Sequence, residues 1–236
     1  NNGGESLLVA RVVSGSYTPA TSTLFGLNTS SSVVFETLSE GALMNSTSSL
    51  DANGALASGS IDNIRWQIVN SNTSSGTFDL LVRRGDDTGN TPIVLETWTN
   101  LSLDPMTTNY VAKVIGDQTY NYASSGTSYY LEITGSYPVK SKYLRVKSVP
   151  SPTPGYFDNS GSPKAQYTSS IPLNGSGSFS GATGDIMGNA QYYNTITDGN
   201  RSQGIPSGSY SNMINLLSNT DDYKFNLLLT PGLFDS

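Results

Sequence analysis

The sequence predicts an α+β, β-rich fold: an antiparallel sheet or sandwich with a few flanking helices. Three observations predict it. Apolar residues recur at every second position in Ile64-Arg65-Trp66-Gln67-Ile68-Val69, in Phe78-Asp79-Leu80-Leu81-Val82-Arg83 and in Ile93-Val94-Leu95-Glu96-Thr97-Trp98. Successive side chains on a strand point to opposite faces, so each segment has one buried and one wetter face. Polar, Gly-bearing runs, Asn70 to Gly76 and Arg84-Gly85-Asp86-Asp87, separate these segments and suit turns between antiparallel neighbours. After Trp98 the period changes. Asp104 suits an N-cap and Pro105 a first helical position. Tyr110, Val111, Val114 and Ile115 then make a helical stripe, and Gly116 suits the end. The expected unit is three strands, with Ile64, Trp66 and Ile68 meeting Phe78, Leu80 and Val82, and one helix over their apolar face.

The other elements follow in order. Asn1 to Gly4 reads as a turn and Leu7 to Val13 as a buried strand. Residues 14–32, rich in Ser, Thr and Gly around Pro19, read as a loop. Val33 to Leu38 is a short strand, and residues 45–60 are a second polar excursion. Tyr129 to Ile133 and Tyr143 to Lys147 are strands. The second of these buries Leu144 and Val146 and wets Tyr143, Arg145 and Lys147. Pro150, Pro152 and Pro154 open a weakly patterned stretch, 150–180, expected to be irregular. Ser209 to Leu217 suggests a short helix with Met213, Leu216 and Leu217 inward. Thr220 to Tyr223 is a turn. Phe225 to Thr230 is an apolar run expected as a central strand covered on both faces, stopped by Pro231-Gly232.

Composition narrows the chemistry. A chain of 236 residues is one large domain or two small ones, and at this size about 70% of the unfolded surface can be buried without staples. With 12 basic and 18 acidic residues the net charge is -6, which argues against a nucleic-acid surface. The chain has no Cys and no His. Thiolate nucleophiles, Ser-His-Asp triads and His-ligated metals are therefore excluded, and chemistry would rest on carboxylates, Lys or Tyr. No apolar run reaches the roughly 18 residues a membrane helix needs. The opening residues carry no charged segment followed by an apolar one of the secretory type.

The clearest charge doublets are Arg83-Arg84 with Asp86-Asp87, and Asp221-Asp222. Adjacent acids on a turn point apart, unlike the facing pair of a glycosidase. Such runs are commonly solvated strand ends. The sharper reading makes Arg83, Arg84, Asp86 and Asp87 an inter-subunit charge contact, weak per copy but repeated at every subunit of an assembly. Asp51-Ala52-Asn53-Gly54 and Asp198-Gly199-Asn200 offer oxygens for calcium but lack EF-hand spacing, and Asx and Gly are ordinary turn residues. Lys140, Lys142, Arg145 and Lys147 read as a wet strand face. Tyr120, Tyr122, Tyr129, Tyr130, Tyr192 and Tyr193 would suit a sugar platform or cross-strand packing. Asn45 and Asn100 sit in Asn-x-Ser/Thr triplets, and Gly181-x-x-Gly184 lacks the context of a phosphate loop. No catalytic, cofactor or metal site is expected.

Several segments, in order, resemble the sheath protein of contractile phage tails of the myophage type. They are Asn-Gly-Gly-x-Ser-Leu-Leu-Val-x-Arg-Val (Asn2 to Val12), the strand Thr77 to Asp87 ending Arg-Arg-Gly-Asp-Asp, and Val94-Leu-Glu-Thr-Trp-x-Asn-Leu-Ser-Leu-Asp-Pro to Pro105. Two more are Asn109-Tyr-Val-Ala-Lys-Val-Ile-Gly-Asp to Asp117 and Leu217-Ser-Asn-x-Asp-Asp-Tyr-x-Phe-Asn-Leu-Leu-Leu-Thr-Pro-Gly to Gly232. The resemblance implies a non-enzymatic subunit of a virion, assembled in the host cytoplasm. It implies hexameric rings of sheath subunits around the tail tube, docked on a baseplate, that contract to drive the tube through the host envelope. Such proteins also carry an N-terminal arm and a C-terminal tube-binding domain. Residues 1–236 correspond to the outer and middle wall without those parts, so the chain alone is expected to be a fragment, monomeric or weakly associating. Two other classes compete. A carbohydrate-binding module or adhesin would expose an aromatic row. A glycosidase would set two of Glu36, Glu40, Glu96 and Glu132 across one cleft, about 5–9.5 Å apart.

Overall fold

The computed structural model describes residues 8–9, 17–22, 32–184 and 207–230. The chain forms two compact units. The larger takes Tyr17–Thr119 and Thr134–Asp185. The smaller takes Asn1–Ser16, Tyr120–Ile133 and Ile186–Ser236.

The larger unit is a β-sandwich. Its strands are β1 (Pro19–Ser22), β2 (Val34–Glu40), β3 (Ile64–Asn72), β4 (Thr77–Arg84) and β5 (Val94–Ser102), followed by β8 (Leu144–Ser148), β9 (Gly175–Gly177) and β10 (Phe179–Ser180). One sheet has the order β5-β4-β3-β9 and the other β10-β1-β2-β8, and all pairings are antiparallel. The alternating segments pair as their pattern requires, with Trp66 opposite Val82 and Ile68 opposite Leu80. Their apolar face does not lie under a helix, as expected, but against the second sheet. Ile64, Trp66, Ile68, Phe78, Leu80 and Val82 share one core with Val33, Phe35, Leu144, Val146 and Phe179. Burying each such side chain is worth about 1.5–3 kcal/mol, which outweighs any local preference for a covering helix. At one margin the chain passes from β9 to β10 through the buried Ser178, so a single segment edges both sheets.

Helix α1 (Val111–Ile115) seals the opposite margin, packing on β5 and β8. It is shorter than expected. Asp104 does not cap it. The Asp104 carboxylate instead accepts the Met106 N–H (2.9 Å) and reaches across the chain to the N–H groups of Gly155 (3.0 Å) and Tyr156 (3.3 Å). Pro105 lies in the resulting turn, closed by Thr107 N–H on the Asp104 carbonyl. The helix does end at Gly116, with φ +106°, where a Cβ would stand 2.3 Å from Val139 Cα.

Other expectations need correction. Pro19–Ser22, inside the expected loop 14–32, is a strand because β2 and β10 flank it. Stretch 150–180 is mostly irregular but holds β9, β10 and a single turn, α2 (Ala165–Thr168). Loop 45–60 is irregular as expected, yet it is tied down. The buried Asn63 donates from Nδ2 to the Asn45 carbonyl (3.1 Å), and Asn45 exchanges two hydrogen bonds with the Ala182 backbone. Strand β3 also runs past Val69. Asn70 (φ +52°) and Asn100 (φ +56°) form left-handed irregularities on either side of Asp79, whose carboxylate binds Asn70 Nδ2 and Asn100 N–H, each at 2.7 Å.

The smaller unit contains a two-stranded hairpin, β6 (Thr119–Ser125) and β7 (Ser128–Thr134), whose first and last residues belong to the larger unit. β7 contains the strand expected at Tyr129 to Ile133, while β6 has no counterpart in the apolar pattern. Tyr122 and Tyr129 stack across it at 5.9 Å between ring centroids. Helix α3 (Ser207–Leu217) matches the expected short helix and buries Leu216 and Leu217 as expected; Met213 is only half-buried, and Tyr210 is buried in addition. The turn at 220–222 is present, but Phe225–Thr230 is not a central strand. It pairs with nothing among the described residues, and Leu227 and Leu229 are 73% and 74% exposed. Of the expected strand Leu7–Val13 only Leu8 and Val9 are described, and both are exposed and outside any strand. The expected turns Asn1–Gly4 and Pro231-Gly232 lie outside the described residues.

Candidate functional site

The charge-bearing segment singled out in the sequence closes β4. Alternation along β3 and β4 sends Trp66 and Val82 into the core, so Arg65 and Arg83 emerge on the opposite face, directly across from each other. Like charges facing across strands repel. The chain resolves the conflict with Asp87. Its Oδ1 lies 3.3 Å from Arg65 Nη1 and its Oδ2 2.6 Å from Arg83 Nε. Oδ2 also accepts the Ile93 N–H at 2.9 Å. Other guanidinium donors reach Gly54 O (3.0 Å), Ser176 Oγ (3.0 Å), Gln67 Oε1 (2.9 Å) and Thr88 O (2.8 Å).

All three charged side chains are at most 4% exposed. Two guanidiniums and one carboxylate leave a buried surplus of one positive charge. Burial first, and Arg83 second, push the Arg65 guanidinium below its ordinary range, with Asp87 opposing. Arg65 Nε has no hydrogen-bond partner among the described residues. A cluster this enclosed holds loop to sheet. It gathers loop 51–55, strands β3, β4 and β9, and the segment after β4 around one carboxylate.

The four residues proposed for an inter-subunit contact therefore separate into two pairs. Arg83 and Asp87 are spent inside the chain. Arg84 and Asp86 stay at the surface, joined at 2.5 and 3.0 Å with side chains 37% and 29% exposed. Hydrogen bonding to Asp86 raises the Arg84 pKa. Arg65 is not conspicuous in the sequence. Its signal was register: the hairpin that pairs Trp66 with Val82 must also set Arg65 against Arg83.

The acids considered for glycosidic chemistry are dispersed. Glu36 on β2 is buried and bridges Arg145 and Lys147 (2.9 Å) of the neighbouring β8, so two bases of the expected wet face are ion-paired. Glu96 on β5 accepts Ser141 Oγ (2.6 Å), Lys142 N–H (2.8 Å) and Trp98 Nε1–H (3.1 Å), pinning the approach to β8. Glu40 is exposed at the end of β2, and Glu132 belongs to the smaller unit. Asp51 Oδ1 accepts the N–H groups of Asn53 (2.8 Å) and Ala55 (2.9 Å), an Asx turn. Gly184 packs on the Tyr17 ring. Asp198, Tyr192 and Tyr193 lie outside the described residues.

Among the described residues no group of three or more acids is placed to hold a metal ion, and no helix is long and apolar enough to cross a membrane. In comparisons with known proteins, no family model, no curated protein and no solved structure matches this chain.

Proposed function

We propose that this chain is the outer and middle wall of a contractile tail sheath subunit. In that role it polymerises with other copies as rings around a tail tube and transmits contraction from a baseplate. One observation carries the reading. The charged groups of the larger unit are used as struts: Asp87, Glu36, Glu96, Asp104 and Asp117 each bind guanidinium, ammonium or backbone N–H groups that fix one segment on another. Interlocked sheets of this kind suit a part that must move as a rigid body. Contraction of a stacked tube is a rearrangement of interfaces between such bodies, with small energies per subunit summed along the tail. The ordered resemblance of five segments supports the same reading and supplies its partners.

The test is electron microscopy of the longer protein that the reading implies. It should form hollow tubes built of stacked rings, and hydrolase activity in the chain would overturn the assignment. A second reading, a carbohydrate-binding module or adhesin, draws on the exposed Tyr120, Tyr122 and Tyr130 of the hairpin. A glycan array without hits would dispose of it.

A further inference from the structure

Three lysines mark one region of the larger unit. Lys113 stands in the last turn of α1, and Lys140 and Lys142 precede β8; all three are exposed. Lys140 Nζ donates to the Lys113 carbonyl at 3.1 Å, which brings that ammonium onto the helix end. None of the three enters an ion pair among the described residues. The neighbouring acids are occupied elsewhere. Glu96 holds Ser141 and the Lys142 backbone, Asp117 holds the N–H groups of Ser136 and Tyr137, and Glu36 holds Arg145 and Lys147. The three ammonium groups thus carry no direct ion-pair partner among the described residues, on a chain of net charge -6.

The smaller unit carries the opposite sign. Its described residues include Glu132, Asp221 and Asp222, all exposed, against the single base Lys224. Asn219 Nδ2 lies 2.9 Å from Asp222 Oδ2 and 3.3 Å from the Tyr129 carbonyl, so the acidic turn is held against the hairpin. The two aspartates lie in the exposed turn that follows α3.

We propose that the Lys113–Lys140–Lys142 surface receives the Asp221-Asp222 turn of a second copy of this chain. The contact joins two different patches, so it is head-to-tail. Repetition of such a contact closes a ring or continues as a helical tube, whereas a two-fold contact would stop at a dimer. The proposal rests on the reading of the chain as a repeating subunit and names the surfaces that repeat.

Sedimentation velocity of the whole 236-residue chain tests it. Raising salt from about 0.01 to about 0.15 M shortens the screening length from about 30 to about 8 Å, and the association constant should fall at least about tenfold. Lys113→Glu/Lys140→Glu/Lys142→Glu and Asp221→Lys/Asp222→Lys should each abolish self-association. Mixed, the two variants should associate in alternation, since each turn then meets a surface of opposite charge only on the other variant. All five changes in one chain should restore association. Circular dichroism establishes that each variant is folded.

The proposal is overturned if the wild type stays monomeric at low salt. It is equally overturned if the reversals leave association intact, or if the fivefold variant fails to recover it. Tight binding of a single-stranded oligonucleotide by the lysines, without self-association, would also overturn it in favour of a polyanion site. Tubes of the longer protein that ignore these charges would sink this contact and spare the wall reading. Salt-dependent pairing without tubes would do the reverse.

Discussion

Asp87→Asn is the sharpest perturbation of the fold. The substitution keeps the side-chain shape and removes the charge that separates two guanidiniums facing each other across β3 and β4. Both guanidiniums would remain buried, without a counter-charge and with at least one donor unmatched. Removing one partner of a buried ion pair costs about 3–5 kcal/mol. In a chain of this size each kcal/mol lowers the melting temperature by about 2–4 °C, so a drop of about 6–20 °C is expected. Thermal and urea unfolding, followed by fluorescence of the buried Trp66, would measure it. Asp86→Asn is the control, since its pair with Arg84 is exposed and solvent-screened, and it should melt near the wild type. Adding Arg65→Met to Asp87→Asn should recover part of the loss, because it removes one of the two guanidiniums left without a counter-charge. If Asp87→Asn melts within about 2 °C of Asp86→Asn, a shift worth about 1 kcal/mol or less, the cluster is not the strut described here.

Other outcomes follow from the same geometry. Gly116→Ala should destabilise by more than about 1 kcal/mol, because the new Cβ meets Val139 and Pro138 backbone at 2.3–2.4 Å in addition to a φ of +106°. Gly126→Ala, at φ +61° with open space around it, should cost visibly less in the same urea titration. The Asp158 carboxyl is held below the usual Asp range by the Ser160 hydroxyl first and the Ser162 backbone N–H second. Its contribution to stability is therefore present above the ordinary unfolded value, about 3.9, and is lost as pH falls through the lower folded value. An NMR titration should place the Asp158 midpoint below that of a model peptide, and Asp158→Asn should flatten the acid limb of stability against pH.

The parts of the fold legible in the sequence are those where side-chain pattern and burial coincide. Ile64 to Val69, Phe78 to Arg83 and Leu144 to Val146 alternate because one face enters the core, and Gly116 ends α1 because no other residue fits there. β1, β9 and β10 are written mostly in Pro, Thr, Ser and Gly, with Ala20 and Phe179 their only apolar residues, and carry almost no apolar alternation. Pairing of β1 with β2 and β10, and of β9 with β3, makes them strands, information held by distant segments. Phe225 to Leu229 shows the converse, an apolar run left exposed among the described residues. In the candidate site, Arg83 and Asp87 were conspicuous as charges, but their burial was not. It depends on loop 51–55 and on Ser176, more than a hundred residues from Arg65 along the chain. Asp104 reads as a helix cap because it precedes a Pro, yet the backbone of Gly155 and Tyr156 claims it first.

The most direct measurement is imaging the longer protein decorated with an antibody fragment raised against this chain. The account predicts regular decoration along the outer wall of ring-stacked tubes, at the spacing of the rings. Particles that never assemble, or tubes whose wall the fragment fails to mark, would contradict it.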